Sequence, residues 1–333
     1  MREATIQKIL SVEPIENADN LEKVGVLGWQ VVSLKGQLKA GDLCLYCEID
    51  SILPENNPEF EFLRPRGFRI KTIKLRKVLS QGIVFPLSIL PEGKYEEGQD
   101  VTELVGVTHY EKPISASMRG MIRCGFPHYV PRTDETRIQS VPGVLDELKG
   151  IPCVATVKLN GTSASYIHLD GDFHVCSRSN SFKLDVPENE KVVYCMMEKK
   201  YDLRKKMTET GSGIAIQGEI VGPGIQKNEL GLKEIDLFIF NIYVIRAREY
   251  LNHYQVEEIC KSMGLKMVPV DSKFIFNHTL EQLLAMANGK YEGTSNRREG
   301  IVIRPEEEMF SKTIGERMSF KVLSNKYLLE NEE

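Results

Sequence analysis

No apolar stretch in this sequence approaches the roughly 18 residues that a membrane-spanning helix needs. The opening segment, MREATIQKIL, has neither an apolar core nor a small-residue cleavage site, so it does not read as a secretory signal. No low-complexity tract or block of like charge reads as a disordered tail. There is no Gly-x-x-x-x-Gly-Lys-Ser/Thr loop, which excludes a P-loop nucleotide cradle. None of the six histidines falls in an HExxH arrangement, and no repeat of fixed period is visible. The seven cysteines are odd in number and irregularly spaced, so no disulfide framework is expected. Cys44 and Cys47 have the spacing of a half zinc site, but no second ligand pair stands at a suitable distance. They lie in the apolar run LCLYCEI, where packing in a buried strand is the expectation. What remains is a soluble, intracellular protein, cytoplasmic for a bacterial or phage gene. No membrane or protein partner is implied, and a monomer is expected.

With 333 residues, 41% of them hydrophobic, the chain can form two domains with real cores. The net charge of −4 argues against a surface uniformly coated for nucleic acid. Its distribution says more. The run RPRGFRIKTIKLRK holds seven basic residues (Arg64, Arg66, Arg69, Lys71, Lys74, Arg76 and Lys77) and no acid, and is the candidate nucleic-acid footprint.

The expected fold class is α+β. In residues 1–105, short apolar runs (GWQVVSL, DLCLYCEI, FRIKTIKL, QGIVFPL) separated by turn-rich segments predict an OB-type β-barrel. The basic run would be one of its strands with an approach loop. Its side-chain alternation slips near Thr72–Ile73, which predicts a bulge or twist. Residues 106–150 read as a connector. Over 151–333, strand-like runs alternate with three helical patterns, predicting antiparallel sheets with flanking helices. One helix is expected over about 188–209, with Val193, Met196, Met197 and Tyr201 sharing a face. A second carries Val256, Ile259, Cys260 and Met263 and stops at Gly264; a third carries Leu280, Leu283, Leu284 and Ala287, with Thr279 and Gln282 as a capping box.

The chemistry centres on one lysine. Lys-x-x-Gly begins at Lys158, Lys261, Lys290 and Lys312, so the pattern alone carries nothing. Only Lys158 ends a strand-like run, VATVK, and opens into a turn before another strand. The segment VKLNGTSASY resembles the nucleotidyl-transfer motif of DNA ligases, RNA ligases and mRNA capping enzymes. Matches to the other motifs of that superfamily follow in order: SRSN with Arg178, IQGEIVG with Glu219, DLFIFNIY with Phe240, REGIVIR with Glu299 and SFKV with Lys321. The flanking TDETR with Arg137, the tail SFKVLSNKYLL and the amino-terminal barrel make the chain similar to ATP-dependent RNA ligases of the Deinococcus/Naegleria type. DNA ligases and capping enzymes carry their OB domain after the lysine-bearing domain. Only 12 residues follow Lys321 here.

The resemblance implies a ligase-type nucleotidyltransferase (adenylation) domain that joins a 3′-hydroxyl to a 5′-phosphate through a lysyl-AMP on Lys158. It implies ATP and Mg²⁺ or Mn²⁺ as cofactors, and RNA or an RNA-containing nicked duplex as partner. A free lysine has a pKa near ~10.4, so only about one in a thousand is neutral at pH 7.5. Lowering that value by roughly three units costs about 4 kcal/mol, from desolvation or a nearby cation. Bare carboxylates would act in the wrong direction. Glu219 and Glu299 make sense if they hold a hydrated divalent ion, mostly through its waters. Lys321, and Lys326 as a second candidate, would neutralise phosphate charge; Arg178 and Arg137 would hold ribose or phosphate, and Phe240 would stack on adenine. Asn160 and Gly161, in the same motif, would contact the nucleotide, and Asn160 could also reach the metal. Many relatives have Asp where this chain has Asn160, which keeps an oxygen for the metal shell but loses a charge. On residue type alone Phe240 could be core, and Arg178 and Lys326 solvated surface charges. The rival classes are a DNA ligase or capping enzyme, and a nucleic-acid-binding protein with an inactive adenylation domain.

Overall fold

The computed structural model describes residues 2–111, 116–184, 186–211 and 213–331. By contacts the chain divides into two compact units: residues 1–113, 138–142 and 328–333, and residues 114–137 and 143–327.

In the first unit, β1 (Ala4–Pro14), β2 (Leu21–Val26) and β3 (Trp29–Leu34) form a meander. β4 (Leu43–Cys47), the hairpin β5 (Ile73–Leu75) with β6 (Val78–Ser80), and β7 (Ile83–Pro86) follow. The main sheet has the order β3-β2-β1-β4-β7. It curls until β3 meets the segment before β7: Gln30 Nε2 donates to the Leu79 carbonyl at 2.8 Å, and Gln81 N donates to the Gln30 carbonyl at 2.8 Å. Strict alternation in β2 and β3 sends Val24, Val26, Trp29 and Val31 inward, where they pack with Ile6, Leu45 and Phe60. Each such side chain contributes roughly 1.5–3 kcal/mol on burial. The expected OB-type architecture is present. β1, the longest strand, has no clean alternation in its first half (four buried residues in succession) and is not among the predicted ones. Cys44 and Cys47 are buried in β4, and burial pushes the Cys44 thiol up to about 12.

The basic run differs from its expected strand. Arg64 and Arg66 lie on a 3₁₀ turn, Pro58–Arg66, that ends at Gly67 in the left-handed region. Only Ile73–Leu75 is strand. The slip near Thr72 is a change from irregular backbone to a tight hairpin, whose turn residues Arg76 and Lys77 both have positive φ.

The second unit holds two sheets. Its strands and longer helices in chain order are β8 (Ile122–Gly125), β9 (Thr136–Arg137), β10 (Pro152–Lys158), β11 (Thr162–Leu169), β12 (Asp172–Cys176), β13 (Asn180–Phe182), α1 (Val193–Tyr201), α2 (Leu203–Glu209), β14 (Ile214–Val221), β15 (Asp236–Val244), β16 (Glu249–Tyr250), α3 (His253–Met263), β17 (Lys266–Met267), β18 (Val270–Ile275), α4 (Leu280–Ala287), β19 (Gly300–Pro305) and β20 (Phe320–Leu323), and it includes the first turn of α5 (Asn325–Asn331). An eight-stranded sheet runs β8-β13-β12-β11-β14-β15-β16, with β17 beside β15. A five-stranded sheet runs β9-β20-β19-β10-β18. Pairing is antiparallel except for β9 with β20 and β15 with β17.

α3 ends at Gly264 in the left-handed region and buries Val256, Cys260 and Met263. α4 opens with the Thr279–Gln282 capping box and buries Leu283 and Ala287. The single helix expected over 188–209 is instead two. Asp202, at φ 53°, closes α1 by donating its N–H to the carbonyls of Glu198 and Lys199. A short carboxylate side chain tolerates this conformation without the glycine that would announce it in sequence. The buried face of α1 is Tyr194, Cys195 and Met197, while Met196 is 38% exposed.

Candidate active site

β10 belongs to the five-stranded sheet and β11 to the eight-stranded one, so Leu159-Asn160-Gly161 is the turn by which the chain passes between them. Lys158 is the last residue of β10. Tyr291, 4% exposed, anchors this turn through its hydroxyl: it donates to the Lys158 carbonyl (3.2 Å) and accepts from the backbone N–H of Asn160 (3.1 Å) and of Glu299 (3.3 Å). One phenol thus ties the lysine, the turn and the start of β19 together. Gly161 N donates to Glu219 Oε1 at 3.0 Å, which joins the turn to β14. A Cβ on Gly161 would lie 2.2 Å from the Ile220 carbonyl oxygen, so no other residue fits without moving backbone.

Register brings the charges together. Lys158 pairs with Gly300, Lys321 with Val302 and Arg137 with Lys321, which places the three cations on one face of the five-stranded sheet. Lys158 Nζ lies 2.7 Å from Glu299 Oε2. Burial lowers the Lys158 pKa, but Glu299 and Glu219 outweigh it and hold the ammonium above the ordinary lysine value. Glu219 is pushed up to about 8, first by burial and then by Glu299, against the pull of Lys158. Lys321 is pushed down to about 8, by burial and then by Arg137 and Lys158. Glu219 and Glu299, crowded beside the Lys158 ammonium, offer carboxylate oxygens that suit a hydrated Mg²⁺ or Mn²⁺. Among the described residues no three His, Cys, Asp or Glu side chains are arranged as an all-protein cage.

The segment TDETR clasps both sheets. Asp134 pairs with Arg178 at 2.9 Å, and Glu135 pairs with Arg304 at 2.5 Å. Arg304 also donates to the Phe240 carbonyl at 3.1 Å. Phe240 is the extra residue of a β-bulge where β15 slips against β14, and it is half-buried. It packs with Leu159 and Val268 and lines a cleft with Val154, Thr156 and Met267.

A family model for RNA ligase matches residues 151–323, and one for an OB-fold domain matches residues 3–87. This chain belongs to the RNA ligase family. The solved structures it resembles include Naegleria gruberi RNA ligase with PPi, at 33% identity and TM-score 0.89 over 100% of this chain and 99% of that one. A lysine-to-methionine variant of that enzyme with AMP and Mn aligns at 32% identity and TM-score 0.89, covering 100% and 99% of the two chains. A lysine-to-alanine variant with ATP and Mn aligns at 32% identity and TM-score 0.88, covering 99% of each. No curated protein matches at a significant level.

Within this ligase, Lys158, Asn160, Gly161, Glu219, Glu299, Lys321 and Arg137 converge. Arg178 is tied to the same region through Asp134. Lys326 does not join the hydrogen-bonded set: it is exposed, and the buried tail residue beside it is Tyr327, which bonds Glu229. Of the basic run, Arg64 is held by Glu61 at 2.6 Å, and Arg69 by Asp50 at 2.6 Å with its guanidinium over the Tyr110 ring. Lys74, Arg76 and Lys77 are exposed. Sequence analysis missed Tyr291, Glu229 and Arg304. Tyr291 and Glu229 stand in loops without periodicity, and Arg304 in REGIVIR reads as an ordinary strand residue. No helix among the described residues is long and apolar enough to cross a membrane.

Proposed function

We propose that Lys158 carries AMP in an ATP-dependent RNA ligase reaction that seals a 3′-hydroxyl to a 5′-phosphate. What carries this assignment is the 2.7 Å contact of Lys158 Nζ with Glu299, beside Glu219 and facing Lys321 and Arg137. The amine, once neutral, attacks the α-phosphate. An N–P bond forms, the bond to the β-phosphate oxygen breaks, and pyrophosphate leaves. A 5′-phosphate oxygen then takes AMP from the lysine, giving a 5′-5′ adenylylated end and returning the amine. Finally a 3′-hydroxyl attacks that 5′-phosphate, a phosphodiester forms and AMP leaves.

Glu219 and Glu299 would hold the divalent ion, which supplies positive potential that favours the neutral amine and offsets phosphate charge. Lys321 and Arg137 meet the charge that builds on the α-phosphate, in a site where burial strengthens each interaction. Phe240 offers an aromatic face at the cleft wall for adenine. Arg178, braced by Asp134, would hold ribose or strand phosphate. Incubation with ATP and Mn²⁺ should add the mass of AMP to the intact wild-type protein and none to Lys158→Ala; persistence of the adduct in the variant would overturn the assignment.

RNA or an RNA-containing nicked duplex is the strand substrate, and the first unit contacts its backbone through Lys74, Arg76 and Lys77. Lys74→Gln, Arg76→Asn and Lys77→Asn together should weaken RNA binding and lower the slope of log affinity against log salt by about 2, given roughly 0.7–0.9 per phosphate contact. Asn suits the positive φ at both turn positions. Arg64→Gln and Arg69→Gln should do less, because Glu61 and Asp50 already hold those charges. Fluorescence anisotropy of a labelled nick across a salt series reads both. An unchanged slope in the triple variant would remove the hairpin from the interface.

A further inference from the structure

The site contains a third acid that the reaction above does not use. Glu229, in the loop between β14 and β15, is 7% exposed. Its carboxylate meets Asn160 Nδ2 at 2.8 Å and the Tyr327 hydroxyl, and its backbone carbonyl accepts from Asn296 Nδ2 at 2.7 Å. None of these partners is a cation. An ionised carboxylate buried against neutral donors is expensive unless those donors are held in place, and here both are. Tyr327 is itself buried in the first turn of α5, and the Asn160 backbone is fixed by Tyr291.

This contact settles the orientation of Asn160. A carboxylate only accepts hydrogen bonds, so the branch of the amide facing Glu229 is the NH₂, and Oδ1 takes the other branch. The residue two places after Lys158 is therefore a neutral oxygen donor with one fixed orientation. The negative charge that an aspartate at 160 would carry sits one hydrogen bond further out.

We propose that Glu229 is a positioning residue that acts through Asn160: it fixes the amide so that Oδ1 faces the water shell of the divalent ion, and it supplies the charge that Asn160 lacks. The proposal rests on the assignment of Lys158 as AMP carrier with Glu219 and Glu299 beside the ion. It extends the metal environment to a residue that touches neither ion nor substrate.

The test moves the charge rather than deleting it. Mn²⁺ alone is titrated into the nucleotide-free protein, with free Mn²⁺ read by electron paramagnetic resonance. E229Q, nearly isosteric, loses the charge and leaves the amide flip unspecified; its Mn²⁺ affinity should fall about 10–100-fold. N160D/E229Q returns the charge to position 160 and keeps the hydrogen bond with donor and acceptor exchanged. It should bind Mn²⁺ with near wild-type affinity, and the Mn²⁺ concentration needed for half-maximal AMP uptake should follow. A purely structural role for Glu229 would not be rescued by relocating the charge. N160A, which removes Oδ1 and leaves Glu229 intact, should lose as much affinity as E229Q and serves if E229Q does not fold. Wild-type affinity in E229Q or N160A, no rescue in the double variant, or no Mn²⁺ binding by the wild type would each overturn the proposal. The AMP adduct on wild type and its loss in Lys158→Ala are scored separately, so failure here leaves the ligase assignment standing.

Discussion

Replacing Glu299 with Gln is expected to make Lys158 easier to deprotonate and still cost on the order of 100-fold or more in the rate of AMP uptake. The two effects have opposite signs, so their magnitudes decide. Glu299 holds the Lys158 ammonium in the nucleotide-free protein, through its charge and its 2.7 Å hydrogen bond. Removing that charge lowers the lysine pKa, and each unit gained raises the neutral fraction at a given pH by about tenfold. The same substitution leaves Glu219 as the one remaining carboxylate beside Lys158. If Glu299 served only as a counter-ion, the neutral-amine gain would dominate and uptake would rise. If it holds the divalent ion, the loss dominates. Two measurements separate these cases: labelling of Lys158 by an amine-directed reagent across pH, whose midpoint should move down in Glu299→Gln, and the rate of adduct formation with ATP and Mn²⁺, which should collapse. A rate equal to or above wild type would show that Glu299 is not a metal residue.

Gly161→Ala is expected to be nearly as damaging, for a steric reason. The added Cβ would stand 2.2 Å from the Ile220 carbonyl oxygen, 2.6 Å from Val221 Cγ1 and 3.0 Å from Glu219 Cγ. The nearest of these is backbone in the middle of a sheet and has no rotamer to change. The turn must move instead, by something near 1 Å. That breaks the Gly161 N–H bond to Glu219 and displaces Lys158 from the phosphate it must reach. A shift of this size costs roughly 100-fold in a reaction that depends on alignment. AMP uptake should fall at least that far, with a lower melting temperature. Gly171→Ala, at a turn with positive φ and open space around its Cβ, should lower stability slightly and leave uptake alone. Equal uptake by Gly161→Ala and wild type would mean that the turn is not a rigid part of the site.

How much was legible follows from how local each signal is. Hydrophobic alternation in β3, the apolar spacing of α3 and the Thr279–Gln282 box of α4 are written within a few residues, and each element formed as expected. β1 escaped because its first half is buried on both faces, which removes the period-two pattern. The split of α1 from α2 escaped because Asp202 takes a conformation usually signalled by Gly. FRIKTIKL looked like a strand by composition, yet its apolar residues Phe68 and Ile70 are anchored in irregular backbone beside a 3₁₀ turn.

For the site, the ordered residues Lys158, Arg178, Glu219, Phe240, Glu299 and Lys321 could be read from the chain, because residue type and order along it are one-dimensional properties. The sequence by itself determined the barrel, the order of the chemical groups and the one lysine that ends a strand. Tertiary structure decided which charges face one another. That Lys158 carries its proton against Glu299, that Glu219 and Lys321 are both displaced to about 8, and that Tyr291 and Glu229 hold the turn depend on contacts across 58–184 residues of chain. Electrostatic energy depends on distance and burial, and neither is defined until the two sheets have closed around the turn.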